Sequence, residues 1–187
     1  MPINPAEIYA QARLYVGTPF RHLGRPVDPR LGKPHRGGHF IDCIGLLLCV
    51  AEDLHLDDKL GAPIRRCDYA AYAAQPMDDF LHAEIARRLP AKAAGTAIAP
   101  GDLLTLRIPR STLALCRVKG ELRKSVISHF AFVSVLNGAA ASGAHETRLG
   151  IIHAYPPPTV GRVVETGFDP KWTSRVAGVF TFPGVTS

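Results

Sequence analysis

Residues 41–51 have the sequence Ile41-Asp42-Cys43-Ile44-Gly45-Leu46-Leu47-Leu48-Cys49-Val50-Ala51, and this stretch decides the fold. Asp42 is a typical N-cap residue, and the apolar run after it predicts a helix that extends to about Leu54. Cys43 would then lie on the first turn, where free backbone N–H groups and the helix dipole favour an anion. Because a thiolate is an anion, we expect this position to lower the pKa of Cys43 and make it a nucleophile.

Two later segments each place a histidine on a predicted strand. Ser128–Val133 carries His129, and Ile151–Tyr155 carries His153. Antiparallel pairing of these strands through a connection at Asn137–Arg148 would bring the two rings close together. A cysteine followed by two such residues predicts a nucleophile, a general base at His129 and an orienting residue at His153.

The same residues also have interpretations without catalysis. Free cysteines are often buried packing residues, His129 would be an exposed strand-end histidine, and His153 would be a hydrogen-bonded core residue. We interpret Asp42 as an N-cap without a role in proton transfer. Gly45 has no side chain, so we expect it to let a substrate backbone approach the sulfur.

Composition favours one globular domain that spans residues 1–187. Hydrophobic residues make up 47% of the chain and charged residues 20%, which excludes an intrinsically disordered protein. The net charge of +6 indicates an anionic partner, such as nucleic acid, a membrane surface or an acidic cell-wall polymer.

The cysteines and the N-terminus bear on the cellular compartment. We expect all four cysteines to be reduced: Cys43, Cys49, Cys67 and Cys116. The segment Met1–Glu7 has no basic region followed by an apolar one, so it predicts no signal peptide. No apolar run approaches the length of a membrane span. We therefore expect a soluble chain that is synthesised in the cytoplasm.

The remaining pattern predicts helices first and antiparallel strands after them, which is an α+β layout. The predicted helices are one from an Asn4 N-cap to about Val16, one near Tyr69–Ala74 and one at Met77–Leu89. The predicted strands are Leu103–Arg107, the two histidine strands, Gly161–Glu165 and Val176–Phe182, with a hairpin tip near Lys119-Gly120.

Two basic segments, 24–38 and 107–127, suggest other classes of function. The second segment has no interleaved aromatic residues, so we do not expect a nucleic-acid partner. His35, His39 and Cys43 recur every four residues near His22, but proline and glycine between them oppose the helix that would align them as metal ligands. We expect no metal and no cofactor.

As a set, five short motifs make the chain resemble the NlpC family of papain-like cell-wall cysteine peptidases, in the compact form found in phage tails and gene-transfer particles. In chain order they are Tyr15–Phe20, Asp42–Leu46, Pro100–Leu104, His129–Ala131 and Ile152–Tyr155. The resemblance implies a papain-like fold with N-terminal helices packed on a C-terminal antiparallel sheet. It implies Cys43 as nucleophile, His129 as base and His153 as the third member. The implied substrate is the peptidoglycan stem peptide, cleaved between D-glutamate, through its γ-carboxyl, and a diamino acid.

Phe20 departs from the family pattern, because the family usually has tyrosine there with its hydroxyl near the oxyanion site. Besides the backbone N–H of Cys43, we expect a replacement donor from His22, Arg36 or His39, which would also line the substrate site. The resemblance implies phage-like tail proteins as partners and action in the periplasm or cell wall through such a particle. Two alternatives stay open: an inactive structural component of the particle, and an amidase or acyltransferase that uses the same triad.

Overall fold

The structure, a computed structural model, describes residues 3–25, 40–67, 79–109, 116–118, 121–123, 125–139 and 145–185. Its helices are α1 (Pro5–Arg13), α2 (Cys43–Asp53), α3 (Phe80–Arg88) and α4 (Pro170–Thr173), with a 3-10 turn at Ile64–Cys67. Its strands are β1 (Leu103–Pro109), β2 (Cys116–Val118), β3 (Glu121–Arg123), β4 (Ser125–Ala139), β5 (His145–Tyr155), β6 (Arg162–Gly167) and β7 (Val176–Phe180). The predicted α+β class is confirmed.

Helix α1 begins as predicted and ends earlier. The Asn4 side chain accepts a bond from the backbone of Ala6, and the Glu7 carboxylate accepts one from the backbone of Asn4, as in a capping box. The predicted end at Val16 is wrong, because the helix stops at Arg13 and the chain then turns. The next residue, Leu14, is 75% exposed, so continuing the helix there buries no apolar surface.

The central helix, α2, begins at Cys43 as predicted and ends one residue before the expected Leu54. Asp42 is its N-cap, and its side chain accepts a bond from the backbone N–H of Gly45. Every residue from Cys43 to Ala51 is buried. A helix that is apolar on all sides must lie inside the protein, and α2 lies between α1, the 3-10 turn and the sheet.

The main sheet is antiparallel and has the strand order β6-β5-β4-β1-β7. Strands β2 and β3 pair with each other in a separate two-stranded sheet, on either side of the expected hairpin tip at residues 119–120, which lie outside the described residues. The predicted connection at Asn137–Arg148 is too long. Strand β4 continues to Ala139, β5 already starts at His145, and Asn137 pairs with Thr147.

The two faces of the main sheet pack against different groups of residues. Phe130, Phe132 and Ile152 face α2 and belong to the larger core cluster. Ala131 and Ile151 belong to a second cluster that includes Trp172 of α4. This alternation is the period of two of an extended strand, whose successive side chains point to opposite faces.

Two β-bulges flank Leu106 at the centre of the sheet. On one side Leu106 pairs with His129 while Arg107 pairs with Ile127, so Ser128 is the extra residue of β4. On the other side the register shifts between Thr105 and Leu106. Bulges bend strands and redirect side chains, and here they lie at the level of His129.

Other predictions have mixed outcomes. Helix α3 starts at Phe80, and Met77, its predicted start, lies outside the described residues; α4 was not predicted at all. The helix expected near Tyr69–Ala74 lies outside the described residues. Within the described part of the chain, none of the helices combines the length and the apolar character needed to cross a membrane.

Candidate active site

Cys43 is the first residue of α2, and its side chain is 9% exposed. The backbone N–H groups of Ile44 and Phe130 hydrogen-bond to its sulfur. Phe130 directly follows His129 on β4. The first turn of α2 therefore places the Cys43 thiol next to the backbone that adjoins the predicted base. The sequence stretch that caps α2 therefore also places Cys43, the predicted nucleophile, against the sheet.

The expected lowering of the Cys43 pKa is wrong in this structure. Burial raises the pKa of the thiol to about 12, and the neighbouring Asp42 carboxylate adds to the increase. The two backbone N–H groups and Arg25 act in the opposite direction and are outweighed. Desolvation of a thiolate therefore exceeds the stabilisation from the helix N-terminus, and Cys43 is a neutral thiol at pH 7.

Asp42 is held by more than its role as an N-cap. Its Oδ1 atom accepts bonds from the Gly45 N–H at 2.7 Å and from Nη1 of Arg25 at 3.1 Å. Its Oδ2 atom accepts a bond from the Leu23 N–H at 2.7 Å. Arg25 and Asp42 are both buried, so an ion pair ties the chain at Arg25 to the start of α2. Arg25 belongs to the basic segment 24–38, and its pairing with Asp42 was not predicted from the sequence.

The role expected for Gly45 is also wrong. A Cβ atom at this position would collide with the carbonyl oxygen of Gly24 and would lie 3.2 Å from Arg25 and from Ile41. Gly24 is equally confined by the backbone of Arg21 and Phe40. The space that we assigned to a substrate backbone is filled by the protein's own chain, which explains why glycine is needed there.

The two predicted histidines are in contact. Nε2 of His129 lies 2.9 Å from Nδ1 of His153, and both rings are buried. Burial lowers the pKa of His153 to about 4. Burial also lowers the pKa of His129 well below its usual value, and the neighbouring His153 and the charge of Arg175 lower it further. Both rings are therefore neutral at pH 7, which is the protonation state of a general base.

His153 lies in an aromatic environment that sequence analysis did not predict. Its ring is 4.8 Å from that of Trp172, at an interplanar angle of 71°, and 5.1 Å from that of Tyr155. Within the described residues, its Nε2 atom is buried and has no hydrogen-bond partner. The pair Asp169-Pro170, a typical N-cap with proline at N1, could have predicted the short helix that carries Trp172.

Cys43 and the histidine pair contact different core clusters. Cys43 packs in the cluster that contains Phe130, whereas His153 contacts Trp172 of the second cluster. No hydrogen bond joins the Cys43 sulfur to either ring among the described residues. The structure thus joins His129 to His153 and brings Cys43 to the backbone next to His129, but it does not join thiol and imidazole.

The expected substrate-binding residues fall into two groups. Phe20 forms a parallel bridge with Ile41, and its N–H donates to the carbonyl of Gly161 at 2.7 Å. Its side chain packs against the larger core cluster. His22 lies in the same described segment, while Arg36 and His39 lie outside the described residues. A donor that replaces the missing tyrosine hydroxyl therefore stays a prediction.

A small apolar cavity adjoins the helix of Cys43. Its volume is about 30 Å³, and its lining includes Ile44, Leu48, Ile85 and Phe130. Ile44 follows Cys43 and Phe130 follows His129 along the chain, but neither Cys43 nor His129 lines the cavity. Among the residues that the structure describes, no group of three or more His, Cys, Asp or Glu side chains could hold a metal ion.

Comparisons with protein-family models, with curated proteins and with solved structures find no match for this chain.

Proposed function

We propose that this protein is a cysteine peptidase of the papain-like type, with Cys43 as nucleophile, His129 as base and His153 as the orienting residue. The observation that carries the proposal is the 2.9 Å contact between Nε2 of His129 and Nδ1 of His153. The thiol at the start of a buried helix supports it, because its sulfur is held against the backbone of Phe130.

The reaction has two steps. Nδ1 of His129 takes the thiol proton while the sulfur attacks the scissile carbonyl, and the ring then gives that proton to the departing amine. A thioester on Cys43 remains. Water then attacks the thioester, with His129 as base, and releases the new carboxylate and the free thiol. His153 keeps the ring plane of His129 fixed during both steps.

Substrate binding must change the arrangement of Cys43 and His129 that the resting site shows. The pKa of Cys43 is raised to about 12 and His129 is neutral, so the resting site is not a thiolate–imidazolium pair. Attack requires Nδ1 of His129 to come within hydrogen-bonding distance of the sulfur. Catalytic contacts often tighten only when substrate is bound.

The proposed substrate is the peptidoglycan stem peptide, cleaved at the γ-D-glutamyl bond to a diamino acid. This assignment rests on the resemblance of the motifs around Cys43, His129 and His153 to the NlpC family. The same resemblance supports a role in a phage-like tail that delivers the enzyme to the cell wall. The net charge of +6 suits an acidic wall polymer.

Digestion of purified sacculi tests the proposal. The wild type and Cys49→Ala should release fragments with a new γ-D-glutamyl carboxylate and a new amine, identified by mass. Cys43→Ala should release none. Cys49 is a matched control because it is a buried cysteine of the same helix. Equal release by the two alanine variants would show that Cys43 is not the nucleophile.

The small apolar cavity favours a second candidate, an acyltransferase with the same triad. A volume of about 30 Å³ corresponds to one small group, so a short aliphatic acyl donor is the form to test. Transfer from such a thioester to an amine, with sacculi left intact, would replace the peptidase proposal. Absence of both reactions in a folded protein would favour the inactive structural component.

A further inference from the structure

The buried edge of the His153 ring that faces away from His129 is the basis of a further inference. Nδ1 of His153 faces His129, and its Nε2 atom has no hydrogen-bond partner in the described part of the chain. A buried imidazole nitrogen that lacks a partner is costly and needs an explanation. The nearest aromatic ring is Trp172, nearly perpendicular to His153 at a centroid distance of 4.8 Å.

Only one proton lies between the two histidines. Burial lowers the pKa of both rings, and the Arg175 guanidinium, which lies 5.2 Å from the centroid of Trp172, further lowers that of His129. Each ring is therefore neutral and carries one N–H. Either His129 donates through Nε2 to Nδ1 of His153, or His153 donates through Nδ1 to Nε2 of His129.

These two arrangements differ at both outer nitrogens. In the first, Nε2–H of His153 points into the aromatic environment and Nδ1 of His129 is an unprotonated acceptor. In the second, a lone pair of His153 points at the aromatic environment and Nδ1 of His129 carries the hydrogen. Only the first leaves His129 able to take a proton from a thiol.

The face of an indole ring is electron-rich, so it attracts an N–H and repels a lone pair. We propose that Trp172 is a positioning residue that holds His153 in the Nε2–H tautomer and thereby keeps Nδ1 of His129 free as the base. The catalytic role of Trp172 rests on the proposed function, whereas its effect on the tautomer of His153 does not.

The position of Trp172 is fixed independently of the histidines. The Asp169 side chain caps α4 by accepting a bond from the Trp172 N–H at 3.1 Å. Trp172 is 7% exposed, and its ring also packs edge-on against Tyr155 at 6.1 Å. Helix α4 and Tyr155 thus hold the indole ring of Trp172 in place beside His153.

The test is nitrogen NMR of the protein labelled with 15N-histidine, above pH 7. The chain has eight histidines, so His129→Gln and His153→Gln assign the two signals. Both rings should be Nε2–H tautomers in the wild type, in Trp172→Phe, which keeps a π face, and in Tyr155→Phe. In Trp172→Leu, the ratio of the two tautomers of His153 should change about tenfold toward Nδ1–H, which corresponds to 1.4 kcal/mol.

Hydrolysis of sacculi separates this inference from the proposed function. Trp172→Leu should lower kcat about tenfold at unchanged KM, and Trp172→Phe should restore it. A wild-type His153 in the Nδ1–H form would overturn the inference even if the enzyme cleaves sacculi. The expected tautomers in a protein that cleaves nothing would uphold it and sink the proposed function. If Trp172→Leu does not fold, the wild-type spectrum still decides.

Discussion

Nη1 of Arg25 and Oδ1 of Asp42 are 3.1 Å apart and form a buried ion pair directly before Cys43. The two charges act on the thiol in opposite directions, because Asp42 raises the pKa of Cys43 and Arg25 lowers it. Each partner also depends on the other, since an unpaired buried charge typically costs about 3–5 kcal/mol. The pair therefore links the stability of the helix start to the reactivity of the Cys43 thiol.

We predict that Asp42→Asn and Arg25→Met shift the labelling of Cys43 in opposite directions. Removal of the carboxylate should lower the pH of half-maximal alkylation, and removal of the guanidinium should raise it. Tandem mass spectrometry after iodoacetamide treatment assigns the label to Cys43 or to Cys49, which share a tryptic peptide. In the wild type, half-maximal labelling should require a pH well above the value of about 8.5 for a model thiol. Shifts of the same sign in both variants would contradict this electrostatic account.

Close packing around Gly45 leads to a stability prediction. Gly45→Ala should lower the free energy of unfolding by about 1–3 kcal/mol, because the new methyl group collides with the Gly24 carbonyl and backbone must move. Gly167→Ala is the matched control, since nothing lies within 4 Å of its Cβ position, and its effect should stay within about 0.5 kcal/mol. Urea denaturation measures both. A Gly45→Ala variant as stable as Gly167→Ala would mean that the close approach does not exist.

Local signals predicted the elements that position the site. The capping residues of α1 and the N-cap Asp42 before an apolar run are short-range features, and both helices start where expected. The contact of His129 with His153 also followed from strand alternation and antiparallel pairing. These features need only a few neighbouring residues to specify them.

Non-local packing accounts for most of the errors. The Cys43 pKa depends on burial by distant segments, and the confinement of Gly45 depends on Gly24, twenty-one positions earlier. Asn137 pairs with Thr147, although the composition around these residues is typical of a loop and predicted one. The aromatic environment of His153 comes from α4, which has only four residues and gives little periodic signal.

His153 should make the stability of the protein depend on pH. Its folded pKa, about 4, is below the usual 6.5, so between these values the unfolded chain binds more protons than the folded one. Stability should therefore be lost as pH falls from 6.5 to 4. Between pH 4 and 6.5, His153→Gln should reduce the slope of the free energy of unfolding against pH by up to about 1.4 kcal/mol per pH unit. Urea midpoints between pH 4 and 7 measure it, and an unchanged slope would show that His153 titrates normally.

The chemistry of residue 153 gives a separate prediction for activity. His153→Gln should retain part of the hydrolysis of sacculi, because its amide oxygen can accept the N–H of His129. His153→Leu should be about as inactive as His129→Ala, since members of one catalytic unit are not additive. Initial rates of fragment release by folded variants measure this. Equal rates for the Gln and Leu variants would make His153 a packing residue only.

The most direct test of Cys43 as nucleophile is the mass of a trapped acyl-enzyme. We would mix the protein with the p-nitrophenyl ester of L-alanyl-D-glutamate at its γ-carboxyl, quench in acid and digest. Attack by sulfur releases p-nitrophenol and leaves a thioester, so the peptide that contains Cys43 should gain the mass of the acyl group. The adduct should persist in Cys49→Ala and be absent in Cys43→Ala. An unmodified wild type, or an adduct that survives in Cys43→Ala, would contradict the account.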